Sequence, residues 1–435
     1  MKGDPVLTPA LRRATALGVG LLATAVLLTA CQSGPAASTG GSVEAVDDGT
    51  TIQMWTRSST SDFTQALVDK YNETHENQVE LTVVPFDAYQ QKVATAAGAG
   101  QLPDIVSSDV VYTPDYVAKG LFRDITAEID ALPFAGDLAP GHMAVGTSAD
   151  GKKYAVPHDL DLSAIFYNKV LFRQAGLDPD APPTDLKGWF DAAAKIDALG
   201  DGTDGFYFGG NCGGCMLFTT WPSIWADGGD VLGDGGTSAT LDSDTAGDVY
   251  SQYRAAWEAG LAPQAAQTET GATFGTAFGT GKIGWQILGA TAYASYPASD
   301  SLEVGIAPVP GVAGGESTFV GGDTLSISST SEHAAAAWDF LSWTLGDEAQ
   351  IDVIAAGGNL PARTDLADNE YSAADPNVAE LARLVSVGET PVSAAFGSTF
   401  NDANGPWTAY FRDQIFGDAS KRSADNDAIS SSLGG

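Results

Sequence analysis

Residues 151–176 read GKKYAVPHDLDLSAIFYNKVLFRQAG, and two short apolar runs within them decide how the chain is folded. Tyr154, Ala155 and Val156 form the first run, and Ile165, Phe166 and Tyr167 the second. Short apolar runs bounded by Pro or Gly suit strands better than helices. Between them lies Pro157-His158-Asp159-Leu160-Asp161, where a backbone fixed by proline carries two carboxylates. After Tyr167 and Asn168 the spacing turns helical through Val170, Leu171 and Gln174, until Gly176 stops it. The stretch is expected to be the place where the chain leaves one lobe and begins another, with a ligand cleft at the junction.

The size of the chain agrees with two lobes. At 435 residues, 44% of them hydrophobic, it exceeds one ordinary core and suffices for two. The formal charge is −34, from 55 acidic against 21 basic residues. Nucleic-acid binding rests on Lys and Arg neutralising phosphates, so that class of partner is excluded.

Upstream, the N-terminus reads as a targeting segment. Lys2, Arg12 and Arg13 precede an uncharged run at residues 14–30 that is short and diluted by Gly and Thr for a spanning helix. It ends Leu28-Thr29-Ala30-Cys31, which resembles the bacterial lipobox and makes Cys31 the candidate lipidation site. An uncleaved membrane anchor with an incidental Cys is the competing reading. Residues 1–30 are therefore expected to be a lipoprotein signal peptide. Residues 31–49, small and polar without periodicity, are expected to form a flexible linker.

From residue 51 the chain alternates strand and helix signals. Thr51-Ile-Gln-Met-Trp55 reads as a strand, Phe63, Leu67 and Tyr71 as one helix face, residues 79–84 as a second strand, residues 89–97 as a second helix, and residues 104–107 as a third strand. Such alternation implies a mainly parallel sheet whose ligands lie beyond the carboxyl ends of the strands. That rule nominates Arg57, Ser59, Asp109 and Tyr112. Downstream, Leu186, Trp189, Phe190 and Ala193 share one face of a helix opened by Pro183-Thr184-Asp185, and residues 244–261 read as another helix. From residue 377 helices dominate, and Pro406-Trp407 opens one.

Several segments, in order, resemble family 1 extracellular solute-binding proteins, the maltose-binding-protein-like receptors of ABC importers. Gly151-x-x-Tyr-x-x-Pro157 followed by Tyr167-Asn-Lys-x-Leu-Phe-x-x-x-Gly176 resembles their crossover. Gly100-Gln-Leu-Pro-Asp-Ile105, Thr220-Trp-Pro-Ser-Ile-Trp-Ala-Asp-Gly-Gly229, the helix and strand from Phe274 to Gly289, Phe319-Val-Gly-Gly-Asp323 and Gly357-Gly-Asn-Leu-Pro-Ala-Arg363 resemble further family segments. The resemblance covers about residues 50–420. It implies an α/β, two-lobed periplasmic-binding-protein fold of type II, its lobes joined by hinge strands. The N-terminal lobe is expected to comprise residues 50–159 and 320–363, and the C-terminal lobe residues 160–319 and 364–435.

The resemblance also carries roles. Sugar receptors stack apolar sugar faces on aromatic rings and hold hydroxyls with carboxylates and amides. Trp407 lies where the family places a stacking aromatic, and Asp161 aligns with an acidic sugar contact. The family's other platform aligns near Thr291, for which Tyr293 is the nearest substitute. Asp159, two residues from Asp161 on an extended segment, shares its face, and Asp323 joins them at the return crossover. Trp221, on a helix face shared with Trp225, and Trp285, in a strand beside Gly284, complete the aromatic candidates, while Trp189, Trp257, Trp338 and Trp343 sit in helical apolar patterns and read as core.

Cys212-Gly-Gly-Cys215 admits zinc, redox and structural readings. No second Cys pair or His cluster supplies further metal ligands, and no Lys, Arg or His flanks the pair to lower a thiol pKa. A short structural disulfide in an oxidising compartment is the favoured reading. It would stiffen the loop beside Asn211, a further ligand candidate. No nucleotide loop, catalytic-serine or metalloprotease motif is present, and no cofactor or metal is expected.

The resemblance thus implies a non-enzymatic, monomeric receptor anchored outside the cell membrane by lipid, taking a sugar (an oligosaccharide is favoured) and delivering it to permease subunits of an ABC importer, with no nucleic-acid partner. Two alternatives remain. A secreted carbohydrate-active enzyme would use Asp159 and Asp161 as an acid/base pair, although side chains on one face of one strand do not flank a bond from opposite sides. A same-fold receptor for a glycerophosphodiester or other anion would need basic residues in the cleft, and Arg57 is the only one nominated, with Arg363 more distant.

Overall fold

The computed structural model describes residues 43–434. The expected signal peptide, Cys31 and the linker up to residue 42 lie outside them. Eleven strands organise the described residues: β1 (Thr51–Arg57), β2 (Gln78–Val84), β3 (Ile105–Asp109), β4 (Val156–Asn168), β5 (Asp204–Tyr207), β6 (Leu232–Gly233), β7 (Ser238–Ala239), β8 (Ile283–Gly289), β9 (Val304–Ala307), β10 (Thr318–Ile327) and β11 (Gly388–Glu389). The main sheet runs β2-β1-β3-β10-β4-β8-β5, with β9 on β4 and β11 on β10, while β6 and β7 form a separate pair.

The first lobe follows from βα alternation. β1 pairs in parallel with β2 and β3, as right-handed crossovers through helices dictate. The helix Ser61–Thr74 after β1 buries Thr64, Leu67, Val68 and Tyr71, a stripe at helical spacing that faces the sheet. Its core joins Ile52, Met54, Ile105 and Leu325 to Tyr71 and Phe340, so the helix Ala334–Thr344 returns to this lobe after β10. The second lobe has a larger core, in which Phe166, Trp189, Phe206, Trp221, Trp285 and Trp407 meet.

Two long strands carry the chain between the lobes. β4 pairs with β10 through residues 156–162, then with β8 and β9 through residues 163–168. β10 pairs with β3 through residues 323–327 and with β11 at Thr318 and Phe319. The two expected strand runs and the proline-fixed stretch between them at residues 157–161 are joined in one strand, Val156–Asn168, and the expected lobe boundary between residues 159 and 160 falls inside it. The reason is burial: every residue of β4 but Asp161 is buried, so the segment pairs as a strand along its whole length. At the crossing, Gly322 has φ +104°, and a Cβ there would collide with the Asp159 carbonyl oxygen; only glycine fits.

The end of the expected linker is not free. Asn77 is fully buried; its backbone N–H donates to Asp47, its Nδ2 donates to the Val46 carbonyl at 2.7 Å, and its Oδ1 accepts from the Thr50 N–H at 2.9 Å. Val43 donates its N–H to Glu128 and packs against the first core. Residues 43–49 are thus docked on the first lobe. Among the described residues no helix is long and apolar enough to cross a membrane.

Candidate ligand-binding cleft

Where β1 and β3 end, at the carboxyl edge of the parallel strands, Arg57 and Asp109 face one another. The Arg57 Nη1 lies 2.6 Å from Asp109 Oδ2, and its Nε lies 3.1 Å from Asp323 Oδ2, with Nη2 on the other Asp323 oxygen. Asp323 is fully buried and also accepts from Thr60 Oγ1 at 3.1 Å and Ser107 Oγ at 2.9 Å. Burial alone would raise its pKa, but the Arg57 charge and these donors outweigh it and hold Asp323 below the ordinary carboxylate value. Asp109, with fewer donors, is raised by burial and by the Asp323 charge despite the same guanidinium.

Asp159 stands opposite Asp323 in the register of β4 and β10 and is 7% exposed. Burial and the charges of Asp323 and Asp161 push its pKa up to about 8. His158, its neighbour, points to the other side of the strand, meeting Thr64 Oγ1 at 2.9 Å and the edge of Phe63. His142 lies behind β10 with its Nε2 2.8 Å from the Gly321 carbonyl oxygen. Burial lowers both imidazoles to about 4 and keeps them neutral.

The second lobe supplies the opposite wall. Asp161 accepts from the Thr291 N–H at 3.2 Å and its Oγ1 at 3.1 Å, where Gly289 leaves room that a Cβ would fill. The helix Gly213–Ala226 opens with a Cys212–Cys215 disulfide. Arg412 ties the preceding loop through the Gly210 carbonyl at 2.7 Å and Asn211 Oδ1 at 3.4 Å. The two walls touch through Tyr112, whose ring packs onto Gly397 and whose hydroxyl accepts from Asn401 Nδ2 at 3.3 Å.

The cleft holds about 950 Å³, at the upper end of the usual ~300–1,000 Å³ of small-molecule sites. Apolar rings line it beside the carboxylates: Phe86, 60% exposed, and Tyr112, Phe218, Phe319 and Phe396. Phe218 and Phe319 lie 5.5 Å apart, and the Arg57 guanidinium sits 5.7 Å over Phe86. A second cavity of about 980 Å³ between residues 147–150, 230–236 and 389–392 contains none of the candidate residues.

Residues 57–351 match the model of the bacterial extracellular solute-binding protein family. The chain belongs to that family. A diacetylchitobiose-binding protein of Streptomyces coelicolor is 24% identical to this solute-binding protein over 373 residues, 82% of this chain and 83% of that one. An sn-glycerol-3-phosphate-binding periplasmic protein of Yersinia enterocolitica is 26% identical over 145 residues, 31% of this chain and 32% of the relative. Among solved structures, the cyclic α-maltosyl-1,6-maltose-binding protein of Arthrobacter globiformis superposes with a TM-score of 0.76 at 23% identity, covering 89% of this chain and 98% of that one. The fold is the maltose-binding-like, two-lobed α/β fold expected from the sequence.

Of the candidate residues, this solute-binding protein brings Arg57, Ser59, Asp109, Tyr112, Asp159, Asp161 and Asn211 to the cleft. Five others are placed elsewhere. Trp407 is wholly buried; its indole N–H donates to the Gly213 carbonyl at 2.9 Å, and its ring packs on Trp221, Phe400 and Phe411. It is a core residue that props the cleft loop from behind. Trp221 is buried in the same cluster. Trp285 is buried too, its indole N–H donating to the Trp189 carbonyl at 3.1 Å. Tyr293 turns away from the cleft and donates to Asp375 at 2.8 Å. Asp323 lies beneath the surface and holds Arg57 in place.

The residues that sequence reasoning missed are the phenylalanines. Phe319 lies inside the quoted return crossover, and Phe86 follows the Pro85 that closes a strand, so strand-end position could have nominated both.

Proposed function

We propose that this solute-binding protein captures a saccharide between its lobes outside the cytoplasm and delivers it to an ABC importer, tethered by lipid on Cys31. The observation that carries the reading is the composition of the cleft: apolar rings at Phe86 on the first lobe and Phe218 on the second, with the carboxylates of Asp159 and Asp161 between them. Rings stack on the apolar faces of sugars while carboxylates accept from their hydroxyls. The names of the diacetylchitobiose-binding relative and of the cyclic α-maltosyl-1,6-maltose-binding structural neighbour support a saccharide ligand. The protein binds and does not turn its ligand over, since Asp159 and Asp161 alternate along one strand and approach a ligand from one side.

A glycerol phosphate or similar anion fits poorly. Among the described residues lining the cleft Arg57 is the one cation, and Asp109 and Asp323 already occupy it. A thermal-shift screen of the purified chain against mono- and oligosaccharides, with glycerol 3-phosphate alongside, tests the reading. Saturable stabilisation by a saccharide is expected; stabilisation by the phosphate alone would contradict it.

A further inference from the structure

Resting on that reading, we infer that the saccharide carries a protonated amine, and that Asp159 is the residue that holds it. Four carboxylates, Asp109, Asp159, Asp161 and Asp323, face a single guanidinium at this junction. Three of them are provided for. Asp109 and Asp323 share Arg57, and Asp161 accepts two hydrogen bonds from Thr291. Asp159 is not. It is more than nine-tenths buried and lines the cleft, and among the described residues no donor or cation pairs with its carboxylate.

A buried carboxylate without a partner is costly to the fold unless it is protonated or meets a positive charge. A neutral sugar hydroxyl gives Asp159 one hydrogen bond and leaves the surplus negative charge of the cluster in place. An ammonium gives the hydrogen bond and balances the charge, and such charge-assisted bonds are roughly twice as strong as neutral ones. The rings of Phe86 and Phe218 on the same cleft add favourable faces for a cation. The excess of carboxylates also disfavours an anionic solute.

Proton linkage gives the inference its own signature. The charged groups around Asp159 are Arg57 from β1, Asp109 from β3, Asp161 from β4 and Asp323 from β10, with Asp62 elsewhere on the same cleft and neutral His158 and His142 behind the sheet. With Asp159 protonated near neutrality, an incoming ammonium ionises it, and the proton leaves to solvent.

The test compares glucosamine oligosaccharides of two to four units with their N-acetylated counterparts, which differ in the charged nitrogen and its acetyl cap. Calorimetry on the purified chain at pH 6, where the free amine already carries its proton and Asp159 still holds one, reads affinity and proton release together in two buffers of different ionisation enthalpy. The amine form is expected to bind at least tenfold more tightly and to release a fraction of a proton approaching one. Asp159→Asn is expected to abolish both the preference and the release. Equal or tighter binding of the N-acetylated form by the wild-type chain would overturn the inference while leaving saccharide capture standing. If neither saccharide binds, the inference falls, while saccharide capture stands or falls by the broader panel of mono- and oligosaccharides. Should Asp159→Asn not fold, the proton count in the wild-type chain still decides.

Discussion

An Asp159 carboxylate that titrates near pH 8 in the folded chain makes the empty protein less stable as pH rises. Between the ordinary value of 3.8 and about 8, the folded state holds a proton that the unfolded state has lost. Stability from this group is therefore full in acid and declines up to pH 8, by at most about 1.4 kcal/mol per pH unit. Asp159→Asn removes the titration, so its melting temperature without ligand is expected to exceed that of the wild type at pH 8, with the gap narrowing towards pH 5. Equal melting at both values would show that Asp159 is solvated. The aromatic residues make a matched pair. Trp407→Ala opens the core and is expected to cost about 3–5 kcal/mol in denaturant unfolding. Phe86→Ala, at an exposed ring, is expected to change stability by about 0.5 kcal/mol or less and to weaken saccharide binding roughly tenfold, the worth of one stacking contact. The acidic residues were legible because carboxylates between apolar runs and at strand ends have few structural uses. Trp407 was misread because a Gly-Pro helix start looks the same whether the next ring turns inward or outward. Only the Gly213 carbonyl and the Trp221 ring, remote in sequence, decide the matter.

At the scale of elements, β4 shows why periodicity misjudged the crossover. Asp159 and Asp161 were expected on an extended segment between two short strands, and they lie in one strand buried on both faces, where Asp161 is held by Thr291. A single sequence displays the polar residues but not the partners that make them tolerable. Likewise, nothing local in residues 43–49 shows that Asn77 awaits them. At Gly322 the two paired strands leave no room for a side chain. Gly322→Ala forces a side chain into the left-handed region and against the Asp159 carbonyl, so a loss of about 1–3 kcal/mol is expected in urea unfolding, together with altered affinity. Unchanged stability would mean that the crossing can relax. The Cys212–Cys215 bridge closes so short a loop that its chain-entropy contribution is only about 2 kcal/mol. Replacing both cysteines by Ser is expected to lower the melting temperature little while weakening binding, because the loop lines the cleft. Unchanged affinity would leave the bridge without a role in holding that wall.

For the whole molecule, the alternation of strands and helices, and the ordered motifs from Gly100 to Arg363, were enough to show two α/β lobes with two crossovers. They could not show how far the lobes are closed. Here Tyr112 already spans the cleft to Gly397 and Asn401, a contact that belongs to approached lobes. A ligand that touches both Asp159 on one side and the Phe218 wall on the other binds only when the lobes approach, so its binding energy shifts the population towards the closed form. Capture without chemistry is the central claim. Its most direct measurement is a calorimetric titration of the purified chain with saccharides and with glycerol 3-phosphate, followed by chromatography of the recovered ligand. Saturable binding of a saccharide that is recovered intact is the expected result, whereas cleavage of the saccharide, or binding of the phosphate alone, would contradict the account.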